Sequence, residues 1–197
     1  MRDDNPYSIP STKPEPDTQM DAPRVEVAQE FFGVSRLKLV TMYFATMGLY
    51  SLVWFHQNWR LLRNRGANAN PWLRSLFTFV FANGLFRTIA DRAQEKNISL
   101  DWNPGILTAV SLTPVLGLGI CLALALYLDE AGLLLLVALL YPISLHPLFV
   151  VQKTVNEING DPAGRVNDQL TADNWVFIPT GFAFQFLFFA GLLISAL

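Results

Sequence analysis

Two histidines, His56 and His146, one cysteine, Cys121, and sixteen carboxylates are the side chains of this 197-residue chain best suited to acid–base, nucleophilic or metal chemistry. Their positions keep them apart. His56 stands among Trp54, Phe55 and Trp59, His146 precedes Pro147 in a long apolar run, and Cys121 lies in the middle of another. Every carboxylate falls in a polar tail or a polar loop. Two histidines with no carboxylate or thiolate beside them do not make a full ligand set, so neither a metal nor another cofactor is expected. A single cysteine forms no intramolecular disulfide and packs as a small apolar residue. No hydrolase elbow, P-loop, dinucleotide fingerprint or His-Glu-x-x-His pattern occurs. An enzyme is not expected, and an intramembrane enzyme would need polar side chains to converge in a pocket.

The polar residues that do form a pattern are amides and arginines. Gln152, Asn156 and Asn159 have i, i+4, i+7 spacing and share one face of a helix that Gly160 and Pro162 stop. That face either docks against the basic 57–74 region or is a solvated helix end. Asn83, Arg87, His146 and Gln185 are the candidate polar contacts inside the membrane. Lys38 and Arg87 lie near segment ends, where long cationic side chains snorkel. Arg60, Arg63, Arg65 and Arg74 follow an aromatic margin and are the candidate lipid-headgroup contacts, each worth about 1 kcal/mol near an anionic surface.

The elements that carry these residues follow from where charge is missing. Only 15% of residues are charged, against roughly 25% in soluble domains. With His56 neutral, four stretches carry no charge: Lys38 to Arg60, Asp101 to Asp129, Glu130 to Lys153, and Asn174 to Leu197. Each exceeds the about 20 residues a helix needs to cross hydrocarbon, where backbone groups must be satisfied within the segment. The expectation is an all-α, polytopic transmembrane bundle with spans near 37–56, 105–127, 132–151 and 176–196. Pro114, Pro142 and Pro147 are positioned to kink their helices. Ser35 is the expected N-cap of the first helix, and Gly66 with Pro71 closes it.

Residues 1–30, proline-rich and acidic, are expected to be a disordered tail ahead of a 31–197 domain. They lack the apolar stretch of a secretory signal. The segment 72–90 is uncharged only from Ser75 to Phe86, which favours a re-entrant or embedded helix over a short fifth span. Lysine and arginine set the orientation. The 129–132 turn has neither and belongs outside with the C-terminus, whereas loops 91–104 and 152–175 belong in the cytoplasm. Four spans would put the tail outside and five would put it inside. Asn97-Ile98-Ser99 matches a glycosylation acceptor but falls on the inner side.

Several short motifs form a larger pattern. Val34-Ser35, Lys38-Leu39, Thr46-Met47-Gly48-Leu49-Tyr50 and Trp54-Phe55-His56-Gln57-Asn58-Trp59 are followed by Pro71-Trp72-x-Arg74 and by the Gln152, Asn156, Asn159 helix. Together they resemble small bacterial multi-pass inner-membrane proteins grouped as domains of unknown function. Those read Ser-x-x-Lys-Leu, then Thr-x-Gly-x-Tyr, then a Trp-rich Tyr-x-Asn-Trp end. The likeness covers most of 31–175, with His56-Gln57 standing where such proteins often carry tyrosine. It implies a bacterial inner membrane and brings no activity.

The net charge of −2 gives no electrostatic case for nucleic acid. The expected partners are membrane lipids and a protein partner or second copy. The expected role is structural or regulatory, with a transporter or channel for a neutral or apolar small molecule as the alternative. A cavity near His146, Asn83 and Gln185 would favour that alternative.

Overall fold

Ser35 ends an extended segment and opens the first helix. Its Oγ accepts from Lys38 N at 3.2 Å, the N-cap bond expected there. The computed structural model describes residues 29–128 and 141–195. Among these the regular structure is helical: α1 Arg36–Ala45, α2 Tyr50–Asn64, α3 Pro71–Leu76, α4 Thr78–Glu95, α5 Pro104–Leu128, a 3₁₀ turn Tyr141–Ser144, α6 Leu145–Ile158, a 3₁₀ turn Arg165–Asn167, and α7 Ala172–Ser195. The expected turn 129–132, the first part of the expected span 132–151 and residues 1–28 lie outside the described residues.

Helix starts and stops follow local rules. Asn70-Pro71 and Asn103-Pro104 open α3 and α5 in the same way. Each asparagine Oδ1 accepts from two backbone N–H groups of the first turn, while proline occupies the next position, where no donor is needed. Four helices end in the paired 6→1 and 5→2 backbone bonds of a Schellman turn. The left-handed residue is Met47 after α1, Gly66 after α2, Asn97 after α4 and Gly160 after α6. Asn97 of the glycosylation-like tripeptide is therefore a helix terminator.

The first of these turns corrects the expected span at 37–56. Gly48 N bonds Tyr43 O at 2.8 Å, and Thr46 Oγ1 accepts from Tyr50 N at 2.9 Å, so the chain reverses at 46–49. It returns along α2 until the Arg65 guanidinium reaches Gln29 O, on the near side of α1, at 3.2 Å. Helices of about 15 and 22 Å do not cross about 30 Å of hydrocarbon. Residues 36–64 are thus a helical hairpin whose two ends meet.

The 72–90 segment makes a second excursion. The helix breaks at Phe77 into α3 and α4. Thr78 and Phe79 border the same cavity as Ser51 and Leu52 near the hairpin tip. From there α4 runs back to Arg92, which meets Glu30.

Among the described residues two helices, α5 and residues Asn174–Gly191 of α7, are long and apolar enough to cross a bilayer, where four or five spans were expected of the chain. The first covers the expected span 105–127 and the second most of the expected span 176–196. The loops between α4 and α5 and after α6 lie at the end where residues 29–35 lie. Lys96 Nζ donates to Ile158 O at 2.7 Å, and Trp102 Nε1 donates to Thr154 Oγ1 at 2.9 Å. We call this end the base and the 46–49 end the tip. The core between them packs Trp54, Phe86, Leu85 and Ile89 against Val151 and Val155.

Candidate functional site

Residues 30–34 adopt neither helix nor strand, yet none of the peptide groups from Phe31 to Val34 lacks a partner. Side-chain amides supply all of them. Asn159 Oδ1 accepts from Glu30 N and Phe31 N at 2.9 and 3.2 Å, and its Nδ2 donates to Phe31 O at 2.8 Å. Asn58 Oδ1 takes Phe32 N at 3.0 Å, while Gln152 Nε2 gives to Phe32 O at 3.2 Å. Asn167 Nδ2 gives to Gly33 O, and Gln29 Oε1 takes Gly33 N. Asn156 closes a two-way bond with Val34, from N at 3.4 Å and to O at 3.0 Å. A buried backbone segment needs such partners as much as a strand does.

The amides also bind one another and α2. Gln152 Nε2 donates to Asn156 Oδ1 at 2.7 Å, and Trp54 Nε1 donates to Gln152 Oε1 at 2.5 Å. Asn58 Nδ2 returns to Trp54 O at 2.9 Å. Phe31 and Val34 point into the core, so the strap is held by its main chain and by two apolar plugs. Gly164, at φ 69°, lets it pass: a Cβ there would stand 2.6 Å from the Val34 carbonyl.

Beside the strap, Glu30 meets three cations. Arg92 Nε and Lys96 Nζ each reach its carboxylate at 2.5 Å, and Arg65 lies at 3.8 Å. The bond from Arg92 holds the Glu30 carboxyl down at about 2 against the opposing effect of burial, with Lys96 adding to it. The same bond raises the Arg92 guanidinium above its ordinary value. Lys38, on the other side of the strap, donates to Asn167 Oδ1 and Gln169 O, both at 2.7 Å.

The structure therefore places Gln152, Asn156 and Asn159 on one buried face, and what they hold is the strap together with Trp54 of α2. The solvated reading of that face is overturned. Gln29 and Glu30, assigned to the tail by composition, belong to the folded domain. The strap and Asn167 are the site residues that sequence reasoning missed.

The arginine set divides. Arg60 and Arg63 are exposed. Arg65 lies 5.6 Å from the Phe31 ring centre, and Arg74 stacks on Trp59 at 4.4 Å while donating to Asn68 O. The intramembrane set is not brought together. Arg87 and His146 are exposed, and Asn83 Oδ1 is buried without a partner among the described residues. Gln185 donates to Phe44 O and Ala45 O at 2.6 and 3.3 Å, capping the end of α1. His56 packs on Trp72 with ring centres 4.2 Å apart.

A cavity of about 640 Å³ lies at the tip between the α1–α2 turn, the start of α4, α5 and α7. None of His146, Asn83 or Gln185 lines it; Gln185 borders a separate, more open hollow on α7. No protein family, curated protein or solved structure gives a match to this chain.

Proposed function

We propose that this is a multi-pass membrane protein with a structural or regulatory role, exerted through lipids or a protein partner. One contrast carries the reading. The amide cluster at the base spends its hydrogen bonds on the chain's own strap, whereas the described residues leave most of the apolar surface of α5 and α7 exposed. Apolar faces of that length are covered by lipid or by another protein. The base, with loops 91–104 and 152–175 and the strap, faces the cytoplasm, as lysine and arginine placement favours. The resemblance noted above supports a bacterial inner membrane.

In this reading Arg60 and Arg63 meet anionic headgroups, because Arg65 and Arg74 are engaged within the fold. The test is to extract the protein in native lipid particles and weigh the intact complexes by mass spectrometry. Retained lipid, a second copy or a second protein at fixed stoichiometry is the expected result; a bare monomer counts against the proposal. Replacing Arg60 and Arg63 with glutamine should weaken retention of anionic lipid by about 1 kcal/mol per charge. Unchanged lipid selectivity would remove the headgroup role. The cavity at the tip favours a second reading, a carrier or channel for a neutral or apolar small molecule, and uptake of such a solute by reconstituted vesicles would establish it.

A further inference from the structure

The walls of the tip cavity restrict what it holds. Among the described residues that line it there is no carboxylate, amine, guanidinium or imidazole. Four of its five hydroxyls are engaged by the protein: Ser51 Oγ donates to Gly48 O at 2.6 Å and Ser111 Oγ to Leu107 O at 2.8 Å, while Tyr43 and Ser144 bond each other, which leaves Thr78 as the one further hydroxyl among the described lining residues. A polar ligand would find few groups with which to replace its water, and burying it unpaired is costly. Leu49, Phe79, Leu118 and Leu122, which also border the cavity, are exposed. The mouth therefore opens sideways, beside the apolar flank of α5. No charged residue occurs between Lys38 and Arg60 or between Asp101 and Asp129, the stretches that supply most of the described lining. At about 640 Å³ it falls within the range of about 300–1,000 Å³ typical of small-ligand sites.

We infer that this cavity takes the acyl chain of a membrane lipid, entering laterally from the hydrocarbon layer, with the headgroup left outside. The inference rests on the membrane reading above and makes that reading specific. The occupant is apolar because the lining has little hydrogen-bonding capacity left to offer. It is a lipid chain because the mouth is flanked by α5, a helix long and apolar enough to face hydrocarbon.

The test uses the full chain in phosphatidylethanolamine–phosphatidylglycerol vesicles doped with a phospholipid carrying a photoactivatable diazirine midway along one acyl chain. Labelled positions are read by mass spectrometry. Labelling of Leu52, Phe55 or Ala82, which line the cavity, is expected in excess of labelling at Ile120 and Leu126 on the outer surface of α5. In Ala82→Phe, which fills the interior, that labelling is lost while Ile120 and Leu126 still react. Leu118→Trp, at the exposed rim where a larger ring is accommodated, gives the same loss if Ala82→Phe does not fold. Labelling confined to outward residues and indifferent to both variants overturns the inference. Lipid retained in native particles with an unlabelled cavity sinks the inference alone, whereas a chain recovered outside the membrane sinks both it and the broader reading.

Discussion

At the base, Gln152, Asn156 and Asn159 are buried polar side chains engaged with the strap and with one another. Beyond the tip, Leu126 and Tyr127 of α5 stand 78% and 85% exposed. The base is a polar core whose partners all come from the chain itself. The far end is an apolar surface that the described residues leave exposed. Polar groups withdrawn from water need specific, directional partners, so their geometry is written into the fold. Apolar surface needs only to be covered, by whatever non-directional contact is at hand. The difference indicates where substitutions act on folding and where they act on association.

Breaking the base should cost most. Asn156→Leu removes both bonds to Val34 and the one from Gln152, leaving buried backbone groups unpaired, and should destabilise the protein by about 3 kcal/mol in denaturant titrations in micelles. The same substitution logic applied to Leu126→Asn on α5 should leave folding in micelles nearly unchanged. If the two variants unfold alike, the contrast between the regions is wrong.

Gly164→Ala should cost about 2 kcal/mol, because the new methyl meets the Val34 carbonyl and the residue must hold a left-handed φ. Hydrogen exchange should accelerate at Phe31, Phe32 and Val34 and stay unchanged in α5. Acid should release the same end. The Glu30 carboxyl is held below its ordinary 4.5, so its contribution is fully present above that pH and is lost as pH falls towards about 2. With allowance for solvent screening this is on the order of 2 kcal/mol, and Glu30→Gln should abolish that part of the acid transition. The smallest effect is a gain. Met47 sits at φ 50°, where glycine carries no penalty, so Met47→Gly should raise stability by up to about 1 kcal/mol and leave the strap unaffected.

Some of this was legible in the sequence for physical reasons. The i, i+4, i+7 spacing of the three amides is enough to put them on one face, and Ser35, Gly66 and Gly160 carry recognisable cap chemistry. The hairpin at 36–64 was not legible, because an uncharged stretch reads the same whether it crosses hydrocarbon or doubles back within it. The signal that could have split it, a left-handed residue, is a methionine here, with Gly48 after it. The strap was hidden for the opposite reason: Phe31-Phe32-Gly33-Val34 is too short for any periodicity, and Glu30 looks like one more acid of the tail. The cavity is assembled from apolar residues of distant helices, which no local pattern marks.

The strap also sets a timetable. Its partners on α6 and in the loop that follows lie 120–134 residues further along the chain. At synthesis rates of about 5–20 residues per second, roughly 6–25 s pass between the emergence of Phe31 and that of the last amide that binds it. The 36–64 hairpin, α3, α4 and α5 leave the ribosome within that interval. The polar base is therefore closed by the last third of the chain reaching back to the first, and a chain interrupted before Asn167 carries its strap incompletely bound.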